Sequence, residues 1–218
     1  MFKETVSSSI YRVAVCLFLS MSGLLVSGSI QAADDPVKAF AERVASSRVS
    51  FSYSYEMEDR DVTLTGGGNI VVQGESYRMT GDGLDIWCDG KSICTEDTAA
   101  REVVIEPVWA GSGAFVNPAA LVRNIGSEFS WDTPGRQAVF NGRQTVRYDL
   151  SPKTAGADIS EMSLYFSPDG ITLVGAELRT VEVRIVFHLS EMEFSTPEDG
   201  TEFAIPSFSP EYFVTDLR

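Results

Sequence analysis

The first element that the sequence predicts is an amphipathic helix. Asp35 precedes Pro36, so a capping carboxylate stands before a proline at the first helical position, where the missing N–H costs nothing. Apolar residues then recur at the spacing of one helical face, i, i+3, i+4 and i+7. They are Val37, Phe40, Ala41 and Val44.

From Val49 onward the period of the pattern is two, which is typical of strands with one apolar and one polar face. The alternation recurs to the end of the chain in many short runs. Their apolar members include Val49, Phe51, Tyr53, Tyr55, Met57, Ile70, Val72, Tyr77, Met79, Leu84, Ile86, Val103, Ile105, Val146, Tyr148, Leu150, Met162, Leu164, Phe166, Val181, Val183, Ile185, Phe187 and Leu189.

Turn signals separate these runs, at Gly66-Gly67-Gly68, Asp89-Gly90, Asn141-Gly142, Pro168-Asp169-Gly170 and Glu198-Asp199-Gly200. A second capped helix is predicted over 119–125, after Asn117-Pro118. The pattern predicts a mainly β fold: a curved antiparallel sheet of about 11 strands that forms an incomplete, half-open barrel, closed by two or three short helices.

The first 32 residues resemble a secretory signal peptide. Lys3 and Arg12 are followed by an apolar run over 13–26, and small residues lead up to Ala32, after which cleavage is expected. The remainder, 33–218, is expected to be one domain that is exported to the periplasm as a monomer. The net charge of −14 argues against nucleic acid as a partner, because phosphates need a basic surface.

The inventory of reactive side chains is small. Cys88 and Cys94 flank a hairpin in an oxidising compartment, which makes a disulfide possible. The one histidine, His188, lies on the polar side of its strand, and the sequence has neither a metal-ligand cluster nor a phosphate-binding glycine loop. We therefore expect no enzyme, no metal and no cofactor.

The order of elements resembles the LolA family of periplasmic lipoprotein carriers and outer-membrane lipoprotein-sorting proteins. The resemblance covers essentially all of 33–218. It rests on the helix and strand over 37–57, the hairpin strand at 68–72, Asp89-Gly90-Lys91, the helix at 118–124, and the strings at 148–153 and 203–206. The chain departs from the family at Gln73-Gly74-Glu75, where carriers have a basic residue and proline, and at Cys94, where an aromatic is usual.

This resemblance implies a carrier that shields the acyl chains of lipoproteins on the way to the outer membrane, with an inner-membrane releasing transporter and an outer-membrane acceptor as partners. The apolar sheet face is then the wall of a lipid-binding cavity, and two helices form its lid. The wall residues are Phe51, Tyr53, Tyr55, Met57, Ile70, Val72, Tyr77, Met79, Ile86, Val103, Ile105, Leu164, Phe166, Val183, Ile185 and Phe187; the lid residues are Phe40, Val44, Leu121, Val122 and Ile125.

Three other functions fit the same pattern. The cargo can be another amphiphile, such as a glycolipid or a pigment lipid, or the domain can be a regulatory module that senses lipoproteins. The apolar face can also be a filled core in a purely structural protein. Periodicity does not separate a hollow from a core, so these alternatives stay open at the level of sequence.

Overall fold

One sheet contains all 13 strands found in the part of the chain that the computed structural model describes, residues 35–59, 62–108, 124–157 and 159–218. These residues belong to one compact unit, Ala32–Arg218. The strands are β1 (Arg48–Asp59), β2 (Val62–Gln73), β3 (Ser76–Gly81), β4 (Leu84–Cys88), β5 (Ser92–Asp97), β6 (Glu102–Pro107), β7 (Phe129–Trp131), β8 (Arg136–Phe140), β9 (Arg143–Pro152), β10 (Glu161–Phe166), β11 (Leu173–Arg179), β12 (Val183–Ser195) and β13 (Phe213–Asp216).

The strand order is β13-β6-β5-β4-β3-β2-β1-β12-β11-β10-β9-β7, with β8 also paired to β9. All neighbours are antiparallel except β13, which runs parallel to β6. Because β13 and β7 end the order without pairing to each other, the sheet stays open. The predicted half-open antiparallel barrel is confirmed, with 13 strands where about 11 were expected.

The helix α1 (Pro36–Ser46) starts at the predicted residue. The Asp35 carboxylate accepts a hydrogen bond from the Lys38 N–H at 3.0 Å, and Pro36 occupies the first turn. Val37, Phe40 and Val44 are buried against the sheet, as the spacing predicts. A short helical stretch at 124–128 and a 3-10 turn at Thr201–Phe203 are the other helical elements of the described residues, and none of these helices is long and apolar enough to cross a membrane.

The sheet has two apolar layers, one on each side. We call the side that packs against α1 the inner face and the opposite side the outer face. The inner face holds the main core, which includes Val49, Ile70, Leu164 and Phe166. The Phe40 ring meets the Phe166 ring edge-on at 5.9 Å, so α1 covers the part of the inner face near the start of β1.

The outer face carries a second, smaller core made by β4, β5 and β6. Its buried residues are Trp87, Cys94, Val103 and Ile105, and the chain after residue 204 packs over them with Ile205, Phe208 and Tyr212. Val103 and Ile105 were predicted as cavity wall, and that prediction is wrong. They lie on the side of the sheet that faces away from α1, where the C-terminal segment shields them from water.

The possible disulfide between Cys88 and Cys94 is not formed in the structure. Cys88 pairs across the hairpin with Ile93, and Cys94 pairs with Trp87. Neighbouring residues of a strand point to opposite faces. Cys88 therefore lies in the main core and Cys94 in the outer core, with the sheet between their thiols.

A β-bulge changes the phase of β12. Ser50 pairs with Glu193 and Ser52 with Ser190, so two residues of β12 oppose Phe51 alone, and Glu191 adopts a positive φ of 53°. Ile185, Phe187 and Leu189 face inward before the bulge, and Met192 and Phe194 do so after it. Such a bulge bends the strand and increases its twist, which adds to the curvature of the sheet at its centre.

Candidate functional site

The inner face is filled under α1 and hollow at its other end. An open cavity of about 230 Å³ lies between β1, β3, β4 and β12. Its wall is apolar apart from the two tyrosine hydroxyls and one carboxylate. The lining residues are Tyr53, Tyr55, Met57, Met79, Gly81, Asp82, Leu84, Ile86, Ile185 and Phe187.

Three aromatic rings form the centre of this wall. Tyr55 pairs with Phe187 across β1 and β12, and their ring centroids are 6.1 Å apart. The Tyr53 and Tyr55 rings stack at 6.4 Å with an angle of 15° between their planes. Tyr53, Tyr55 and Met57 project inward because they occupy alternate positions of β1.

The glycine run is what opens the space in front of these rings. Gly66, Gly67 and Gly68 lie within β2, and Gly66 and Gly68 pair with Tyr55 and Tyr53. A Cβ at Gly68 would lie 1.9 Å from the Thr80 carbonyl oxygen of β3. The run is thus a close approach of β2 to β3, and the turn predicted at this place is wrong.

The carboxylate of Asp82 enters the wall through this gap. Asp82 occupies the β3–β4 turn between Gly81 and Gly83 with a φ of 56°. Its Oδ1 accepts a hydrogen bond from the Gly67 N–H at 3.1 Å. A Cβ at Gly66 would lie 2.4 Å from Asp82 Oδ2 and 2.6 Å from the Tyr55 hydroxyl, so both polar groups occupy the volume that a side chain at residue 66 would fill.

The environment of the two tyrosines favours their neutral forms. Burial, followed by the negative charge of Asp82, raises the pKa of Tyr53 to about 12. Burial is also the largest cause of the raised pKa of Tyr55, followed by the negative charge of Asp82. Both hydroxyls therefore stay protonated at neutral pH and can donate hydrogen bonds.

The predicted wall residues divide into three groups. Those that line the hollow are Tyr53, Tyr55, Met57, Met79, Ile86, Ile185 and Phe187. Those buried in the main core are Phe51, Ile70, Val72, Tyr77, Leu164 and Phe166, while Val183 is partly buried against it. Val103 and Ile105 belong to the outer core.

The predicted lid residues do not line the hollow. Phe40, Val44 and Ile125 are buried in the main core, with at most 4% of their surface exposed. These three predicted lid residues are enclosed by the packing at the α1 end of the sheet. Leu121 and Val122 lie outside the described residues.

Sequence reasoning missed Gly81, Asp82 and Leu84 as parts of the wall. A signal for Leu84 existed, since it alternates in phase with Ile86 and Cys88. The position of Asp82 depends on a turn that folds its side chain back over Gly66, which no periodicity encodes.

His188 lies on the outer face, on the opposite side from the hollow, as the alternation predicts. It is more enclosed than a surface histidine, because the Phe140 ring lies 5.1 Å from its imidazole and 4.2 Å from the Tyr165 ring. Gly175 leaves the room for this ring, since a Cβ there would lie 2.1 Å from Phe140. Among the described residues, no group of three or more His, Cys, Asp or Glu side chains is arranged to hold a metal ion.

Comparison with known proteins finds a similar fold among solved structures and no match by sequence. No family model and no curated protein matches this sequence. An uncharacterized conserved protein from Thermus thermophilus matches 83% of this chain and 96% of its own, with a TM-score of 0.51 and 9% identity. The fold is shared.

LolA superfamily structures are also among the matches, at lower scores. One is a LolA superfamily protein from Nitrosomonas europaea, with a TM-score of 0.41, 9% identity and coverage of 78% of this chain and 97% of that one. Another is a putative outer membrane lipoprotein-sorting protein domain from Vibrio parahaemolyticus, with a TM-score of 0.41, 10% identity and coverage of 77% and 95%.

Proposed function

We propose that this protein is a periplasmic carrier that binds the apolar chains of an amphiphile in the hollow. The observation that carries the proposal is an open, apolar cavity on the same face of the sheet whose other end is a packed core. An exposed apolar wall costs free energy in water, and a ligand chain that covers it removes that cost. The leader-like first 32 residues support export, and the resemblance to lipoprotein carriers supports an acylated cargo.

The size of the hollow suits part of a cargo molecule. Its volume of about 230 Å³ lies a little below the range of about 300–1,000 Å³ that is common for small-molecule sites. Each buried methylene contributes about 0.8 kcal/mol. A single enclosed chain segment therefore gives useful affinity while leaving the remainder of the cargo outside, which favours release to an acceptor.

A charged residue at the rim tests this proposal. Leu84 lines the hollow and is 36% exposed, so Leu84→Glu leaves a folded protein. We expect its affinity for the neutral apolar dye Nile red to fall about tenfold, because a hydrated carboxylate then stands in the path of the dye. Fluorescence titration measures this change.

Val139→Glu is the matched control. Val139 is an exposed strand residue that does not line the hollow, and the same change of charge there leaves dye affinity unaltered. Equal loss of binding in both variants, or none in either, contradicts a site in the hollow.

A further inference from the structure

The hollow contains a feature that an acyl-chain site does not need, a carboxylate in its wall. Asp82 is the one charged side chain among the residues that line it; the others are Tyr, Met, Leu, Ile, Phe and Gly. In the described part of the chain no lysine, arginine or histidine forms a salt bridge with this carboxylate. Its negative charge therefore faces the ligand volume without a cationic partner.

One hydrogen bond positions the Asp82 carboxylate and leaves most of its acceptor sites unused. The Gly67 N–H donates to Oδ1 at 3.1 Å, which is the one hydrogen bond to this carboxylate found among the described residues. An ionised carboxylate has about four acceptor sites. About three of them remain for donors on a ligand whose chain occupies the apolar part of the hollow.

The geometry points to Asp82 as a specificity-determining residue. We propose that it selects amphiphiles whose polar end donates hydrogen bonds, most favourably a protonated amine and next a hydroxyl, and that it rejects an ionised carboxylate at the same place. This inference rests on the proposed function, because it needs the apolar chain to lie in the hollow. It adds the chemistry of the polar end, which the apolar wall alone leaves undefined.

The physical basis is that the two Asp82 carboxylate oxygens attract a hydrogen-bond donor on the ligand and repel an ionised carboxylate. Asp82 is exposed at the rim of the hollow, where a charge-assisted hydrogen bond still contributes more than a neutral one and two like charges disfavour each other. Ligands with the same chain and different polar ends therefore differ in affinity because of Asp82. Burial of the chain contributes equally to each affinity and does not affect the difference.

Competition binding with three ten-carbon compounds, decylamine, decanol and decanoate, measures this effect. At neutral pH the amine is protonated and the acid is ionised. We expect decylamine to displace Nile red from the wild-type protein at a concentration at least about tenfold lower than decanoate, with decanol between them.

In Asp82→Asn the amine-to-acid preference falls about tenfold, while decanol affinity changes by less than about threefold. Asparagine keeps an oxygen for the Gly67 N–H and tolerates the positive φ, so the turn is preserved. Asp85→Asn is the control. Asp85 lies in β4 and does not line the hollow. The substitution removes the same charge, and we expect it to leave the amine-to-acid preference unchanged.

Two results overturn the inference and leave the proposed function standing. One is a decanoate affinity equal to that of decylamine in the wild-type protein, and the other is an unchanged preference in Asp82→Asn, provided that all three compounds still displace the dye. Failure of Nile red and of every compound to bind contradicts the proposed function itself and the inference with it.

Discussion

Gly68→Ala lowers the free energy of unfolding by about 3 kcal/mol, at the upper end of the cost of overpacking. The new Cβ meets the backbone of β3, at 1.9 Å from the Thr80 oxygen and 2.9 Å from the Gly81 Cα. Backbone atoms in a paired strand cannot rotate away as a side-chain end can, so β2 and β3 must separate. Urea unfolding of the two proteins measures the loss.

Gly126→Ala is the control for this prediction. Gly126 lies in the helical stretch 124–128, and its Cβ would lie 3.3 Å from the Ala41 Cβ. Alanine is the better helix former by about 1 kcal/mol, which offsets the tight contact and leaves stability nearly unchanged. A Gly68→Ala protein as stable as the wild type would contradict the close approach of β2 and β3.

Leu164→Ala is the second change with a large expected effect. Leu164 is fully buried in the main core, and its truncation leaves an internal void. We expect the free energy of unfolding to fall by about 2–5 kcal/mol. Nile red affinity of the protein that remains folded is unaffected, because Leu164 does not line the hollow.

Ile86→Ala gives the opposite pattern. Ile86 is half-buried and lines the hollow, so its truncation enlarges a space that is already open and costs about 1 kcal/mol or less. Dye affinity changes instead. If both variants lose the same stability and neither changes dye binding, the inner face is a continuous packed core and the structural alternative is correct.

The alternation of β1 and β12 predicted which side chains face inward, because both strands have one apolar and one polar side. Tyr53 and Tyr55 stand between serines and a glutamate, so their inward orientation is readable from the sequence. The same argument fails for β6. Val103, Val104 and Ile105 form a continuous apolar run, in which either face can be the buried one.

The division of the inner face into core and hollow could not be read from the sequence. Phe51 and Tyr53 are neighbours on the same side of β1, yet Phe51 is in the packed core and Tyr53 lines the cavity. What separates them is which segment packs above each residue, and that is a tertiary contact. Likewise, only the pairing of Cys88 with Ile93 shows that the two thiols point to opposite faces.

Methyl NMR of the methionines tests most directly the claim that the hollow is the binding site. Met57 and Met79 line it, whereas Met162 is buried in the main core and Met192 packs at its edge. On addition of decanol, whose neutral polar end makes its binding only weakly dependent on Asp82, the methyl signals of Met57 and Met79 are expected to shift while those of Met162 and Met192 stay in place. Binding that leaves Met57 and Met79 unshifted, or no binding at all, contradicts the account.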